Sequence, residues 1–147
     1  MISRLVAALI LSVACAAPAS ARDTPVHLVL ADVVDDANAS GRLDGSVRFY
    51  LDGQHTPAVL DTFGEATSNR KTNALNKSDA EACRWVALSA LIALQQEARA
   101  RGANAVIGLN SQFRNRSFSD AEKFECNAGA LMAGVAFRGT YATVAER

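Results

Sequence analysis

Few side chains in this sequence carry chemistry beyond packing: Cys15, Cys83 and Cys126, His27 and His55, and the adjacent Asp35 and Asp36. Cys83 and Cys126 admit three roles: a structural cross-link, a redox pair or half of a metal site. Thiol–disulfide catalysis usually uses C-x-x-C with a low-pKa thiol at a helix start, and only the helix start is present here. Zinc takes four ligands, and the two cysteines with His27 and His55 show no recognisable ligand spacing. The expected state is a structural disulfide, with the other roles as alternatives.

Catalytic motifs do not supply another reading. The phosphate loop G-x-x-x-x-G-K-[ST] requires a Gly-Lys step, and the sequence contains none, so ATP hydrolysis of that kind is excluded. G-x-S-x-G and H-E-x-x-H are also missing. His27, in an expected strand, and His55, in an expected turn, read as surface or edge residues rather than general bases. Asp35 and Asp36 read as a solvated acidic turn. The run 68–78, SNRKTNALNKS, is rich in polar donors and ends at a helix start, where backbone amides favour an anion. An exposed loop and helix cap is the expectation there, with a ligand site as the alternative. No catalytic, cofactor or metal residue is assigned, and no cofactor is expected.

The elements that must position these residues follow from local pattern. Residues 24–30 read as a short strand, and ADVVDDANAS as one or two helical turns ending near Gly41. SVRFYL reads as a strand, Asp52-Gly53 as a turn, and residues 58–72 as its hairpin partner. Ser78 with Glu81 three residues on is a capping pattern, predicting a helix from Asp79 to about Arg101 that Gly102 terminates. Its core face holds Ala82, Cys83, Val86, Ala87, Ala90, Leu91, Ala93, Leu94 and Ala98. Trp85, Leu88 and Ile92 fall on the opposite flank, to be covered either by the N-terminal segment or by a second subunit. Residues 105–113 form the next strand, a polar turn follows, and residues 124–144 read as one long strand broken near Gly139. Alternation along it places Cys126 on a small-residue face with Gly134 and Ala136, expected to pack on the helix.

Residues 1–21, MISRLVAALILSVACAAPASA, have the pattern of a secretory signal: Arg4, an apolar run, and small residues before a cut expected after Ala21. The apolar run from Leu5 to Ala17 is 13 residues, short of the roughly 20 that span a bilayer. Lipidation at Cys15 is a minor alternative, because leucine stands four positions before it rather than three. Export to the periplasm or beyond makes a Cys83–Cys126 disulfide the expected state. Removing the signal leaves 14 basic against 15 acidic side chains. That balance argues against a general nucleic-acid binder, which normally needs a basic excess. Residues 22–147 are expected to form a single domain.

The order of elements resembles a known pattern. GEATSNRKT, a long Ala/Leu helix, ARGANAVIGL and AGALMAGVAFRGT are similar to the YbjQ-like heavy-metal-binding domain family and, more distantly, to RcsF-like outer-membrane sensors. The likeness covers about residues 58–140, and residues 100–108 are its most specific part. A likeness along nearly the full length is to small exported bacterial proteins labelled "excinuclease ATPase subunit", carried by GRLDGSVRFYL, TNALNKSDAEACRWVALSALIALQ and ECNAGALMAGVAFRGT. The label does not describe this chemistry, since the phosphate loop and zinc-finger spacing are missing and the signal leads away from DNA.

The sequence therefore predicts a small α+β domain, with a mostly antiparallel sheet and one long helix packed on it. The expected function is a non-enzymatic envelope protein acting by protein–protein contact or stress sensing, with homo-oligomerisation through Trp85, Leu88 and Ile92 as a subsidiary expectation. The alternative is a small-ligand or metal-binding module using residues 68–78, His27 or His55.

Overall fold

The computed structural model describes residues 22–146. The expected signal segment, its cut after Ala21 and Cys15 lie outside the described residues. The elements are β1 (Thr24–Val29), α1 (Leu30–Ala39), β2 (Arg48–Leu51), β3 (Val59–Asn73), α2 (Asp79–Ala100), β4 (Ala105–Phe113), β5 (Arg116–Phe118), β6 (Lys123–Ala128) and β7 (Met132–Val144). Seven strands form one mixed sheet, and two helices accompany it. All described strand pairs are antiparallel except β2 with β4.

β7 organises the sheet. One of its edges pairs with β3 along its whole length. The other edge is divided, with β6 meeting residues 133–134 and β4 meeting residues 137–142. Beyond these, β1 adds to β6, while β2 and β5 add to β4. Gly139 permits the β4–β7 approach, because a Cβ there would meet the Ile107 carbonyl at 2.8 Å.

The expected hairpin between residues 46–51 and 58–72 does not form. β2 lies parallel to β4, and β3 pairs with β7. The Asp52-Gly53 turn is present, closed by the Gln54 N–H donating to the Leu51 carbonyl at 3.0 Å. A turn dipeptide reverses the chain locally but does not choose the next partner strand; β7, apolar and long, outcompetes the four-residue β2.

The final strand is also two strands. The Gly129 N–H donates to the Met132 carbonyl at 2.8 Å, and this turn makes β6 and β7 an antiparallel hairpin. Alternation cannot be counted through it. Cys126 therefore shares a face with Ala133, Val135 and Phe137, and this bulkier face packs beneath α2, while Gly134 and Ala136 turn away.

α2 is capped as its sequence predicts, with Ser78 Oγ accepting the Glu81 N–H at 3.1 Å. It ends ahead of Gly102 at φ +74°, where a left-handed residue closes the helix. The Cys83–Cys126 disulfide ties its first turn to β6, with Cα atoms 5.8 Å apart and both residues fully buried. α1 is a full element of ten residues, longer than the expected one or two turns, because Leu30, Val33 and Ala37 bury one stripe. No described helix is long and apolar enough to cross a membrane.

Candidate binding groove between the two helices

α1 lies against α2 on the flank that carries Trp85 and Leu88, and the gap between them is a groove of about 370 Å³. Val33 and Ala37 of α1 and Leu88 of α2 form its apolar floor. Trp85 stands in its wall, 45% exposed. Asp36, Arg42, Glu81 and Arg84 ring the mouth, and Arg84 approaches Asp36 at 3.7 Å between exposed side chains. An ion pair so exposed contributes little to stability, so these charges are free to exchange partners.

The segment after α1 completes the wall. Arg42 and Leu43 both donate their N–H groups to the Ala37 carbonyl, at 2.9 and 3.2 Å, folding the chain back over α2. Arg42 is thereby placed over the Trp85 ring, its guanidinium carbon 4.6 Å from the centroid. Such a cation–π contact contributes about 0.5–1 kcal/mol at an exposed site. Further along, the Asp44 N–H donates to the buried Gln95 side chain at 3.1 Å. Its carboxylate accepts from Arg99 at 2.7 Å. Hydrogen bonds from Ser46, helped by Arg99, hold the Asp44 carboxyl below the usual carboxylate range.

The start of α2 is anchored from the N-terminal side as well. Arg22 makes two hydrogen bonds to the Asp79 carboxylate, at 2.8 and 3.0 Å. They lower the Asp79 pKa and raise that of Arg22, the hydrogen bond being the larger cause and charge attraction the smaller. Asp79 also sits in the first turn of α2, where a negative charge complements the helix dipole.

Trp85, Leu88 and Ile92 do not form one exposed flank. Leu88 is only 9% exposed, Ile92 is half-buried against the main core, and Trp85 alone stays largely open. α1 supplies the cover. The other residues singled out in the sequence are dispersed. His27 Nε2 lies 2.9 Å from Glu125 on the sheet face away from α2, with its ring stacked on Phe118 at a centroid distance of 4.3 Å. His55 is exposed in the segment after β2 and Asp35 is exposed on α1, whereas its neighbour Asp36 stands at the groove mouth near Arg84. Of the run 68–78, expected to be a loop, residues 68–73 belong to β3 and only residues 74–78 turn into the helix cap. The alternation in that run is hidden because its residues are polar on both faces. Among the described residues, no group of three His, Cys, Asp or Glu side chains is placed to hold a metal ion.

Arg42 was not singled out by its sequence position; only the backward fold after Ala37 brings it to Trp85. A second, broader groove of about 630 Å³ crosses the outer sheet face over Gly134 and Ala136, rimmed by exposed Leu131 and Met132. Compared with known proteins, the chain matches no protein-family model and no curated sequence.

Proposed function

We propose that the chain is an exported, non-enzymatic domain of the bacterial envelope that acts by protein–protein contact, with the Trp85 groove as the docking site. Trp85 is the observation that carries this reading: a large indole, half open to solvent, under the Arg42 guanidinium and beside an apolar floor. Tryptophan and arginine dominate the residues on which protein interfaces depend energetically. The partner's chemistry follows from the lining. It offers an apolar anchor to Val33, Ala37 and Leu88, flanked by polar groups that meet Asp36, Glu81 and Arg84.

The disulfide between helix and sheet supports export, since such bonds persist in oxidising compartments. Export itself, cleavage after Ala21 and the minor lipoprotein route through Cys15 belong to the proposal. So does the likeness to YbjQ-like and RcsF-like domains, which the order β3–α2–β4–β7 supports. Envelope stress sensing is the role that likeness favours.

A photo-reactive residue at Glu81, on the rim, tests the proposal in living cells. One cross-linked protein is expected, and it should vanish when Trp85→Ala is added while the far-UV circular dichroism stays unchanged. Failure to cross-link, or a product indifferent to Trp85→Ala, refutes the reading. A groove of about 370 Å³ also lies within the range of small-molecule sites, roughly 300–1,000 Å³, which favours ligand binding as the second reading. Native mass spectrometry of protein taken from its own envelope separates the two, because a retained small molecule adds its mass.

A further inference from the structure

β3 is the outermost strand on its side of the sheet, and among the described residues nothing pairs with its far edge. From Glu65 to Asn73 it runs in unbroken register with β7. The irregularity lies earlier, at Gly64 with φ +94°, where the Phe63 carbonyl accepts from Arg101 at 2.7 Å. A regular edge of this length presents a row of backbone N–H and C=O groups that only water or another strand satisfies. No proline interrupts β3.

The edge carries charge, and its arrangement is self-complementary. Glu65 and Lys71 lie six residues apart, both exposed and on the same face, the face turned away from α2. In an antiparallel pair of identical strands, residues equidistant from the symmetry axis stand opposite one another. An axis at Ser68 sets Glu65 of each copy against Lys71 of the other, so one geometry forms two opposite-charge pairs. Moving the axis to Asn69 sets Lys71 against Thr67 and Glu65 against Asn73, so Lys71 is left unmatched and Glu65 keeps only the Arg138 of its own chain, 2.9 Å away.

Ser68 stands at that axis. It is 7% exposed on the helix side of the strand, and its Oγ is buried with no hydrogen-bond partner among the described residues. A buried hydroxyl without a partner carries an uncompensated desolvation cost. With the axis at Ser68, the two copies of this residue stand opposite each other, and turning each hydroxyl toward the strand edge lets the serine pair share a hydrogen bond.

We infer that the β3 edge is a self-association surface on which two copies join antiparallel through residues 65–71. The two-fold axis passes at Ser68, and the sheet continues across the dimer. This surface is separate from the Trp85 groove, and neither proposal rests on the other.

Charge swaps test it in the mature chain by sedimentation velocity. The wild-type protein should show a concentration-dependent dimer. Lys71→Glu alone and Glu65→Lys alone each oppose like charges at both pairs, and each should weaken dimerisation by about ten- to a hundred-fold. Mixing the two variants in equal amounts restores opposite charges at both pairs, so a heterodimer should form near wild-type concentrations. That rescue also shows that both variants are folded. Hydrogen exchange should find the concentration-dependent protection within residues 65–71. A wild-type chain that stays monomeric at several hundred micromolar overturns the inference; so do single variants that dimerise normally, a mixture that fails to recover, or protection that maps elsewhere.

Discussion

Replacing both disulfide cysteines, Cys83→Ala with Cys126→Ala, should remove a large share of the domain's stability. The bond closes a loop between positions 43 apart. Restricting the unfolded chain over that loop contributes about 4 kcal/mol on the chain-entropy model. Both residues are fully buried where α2 packs on the sheet, so deleting their sulfurs leaves a void worth on the order of 1 kcal/mol more. Single domains are typically stable by about 5–15 kcal/mol, so the variant should be marginal rather than merely weakened. With a urea dependence of about 1–3 kcal/mol per molar, the unfolding midpoint should fall by roughly 2 M or more. The assay is urea unfolding read by circular dichroism and by the fluorescence of Trp85, the single tryptophan. Two probes matter, because coincident transitions are what license a free energy. Reductant should act on the wild-type protein only as fast as the domain opens, since neither sulfur is reachable in the folded state. A loss below about 1 kcal/mol, or free thiols titrating in the oxidised folded protein, would refute the reasoning.

Two further outcomes follow from single positions. Gly139→Ala places a Cβ 2.8 Å from the Ile107 carbonyl and 3.2 Å from Val106 Cγ1; β4 and β7 must separate locally, lowering stability by about 1–3 kcal/mol in urea unfolding. Asp79→Asn should make the thermal midpoint less sensitive to acid. The Asp79 pKa is lowered in the folded state by Arg22, so its stabilisation is complete above the ordinary carboxylate pKa of about 4 and fades as pH falls through the lower folded value. The gap between wild type and variant should therefore be full at neutral pH and close below about pH 4, and a gap that widens with acid contradicts the assignment.

Local signals in this sequence were legible wherever the deciding interaction is itself local. Ser78, Glu81 and Gly102 bound α2 because capping is settled within a few residues. The Cys83–Cys126 pairing was legible because these are the two cysteines beyond the expected signal segment. Strand partnering was not. Asp52-Gly53 correctly marks a turn, yet β3 passes over β2 to reach β7, a choice made by non-local burial. Parity failed for a similar reason: residues 129–131 form a turn, and alternation counted through a turn assigns the wrong face to every residue beyond it.

The groove was half legible. Periodicity marks Trp85, Leu88 and Ile92 as a second apolar flank of α2, and the structure shows α1 covering Leu88 and leaving Trp85 open. Arg42 could not be found this way, since its place over the indole depends on two hydrogen bonds to Ala37.

The staple and the groove are mechanically connected. Cys83 lies two residues before Trp85, in the stretch of α2 that forms the groove wall, and Arg22 grips Asp79 at the same end of the helix. Helix ends ordinarily fray, because their first amides lack intrahelical partners. Here a covalent bond to β6, a side-chain cap at Ser78 and a two-fold hydrogen bond from Arg22 all act on that one end. The backbone that carries the indole is thus held in place, and on the proposed docking reading this removes part of the ordering cost of association. The opposite wall is anchored through the backbone instead: the Leu30 N–H donates to the Glu122 carbonyl at 3.0 Å, while Val29 provides no side-chain cap and Asp36 stays exposed. The groove therefore pairs a wall that bears the indole and is fixed at three points with a wall held by burial of Leu30, Val33 and Ala37 and by the Leu30–Glu122 hydrogen bond.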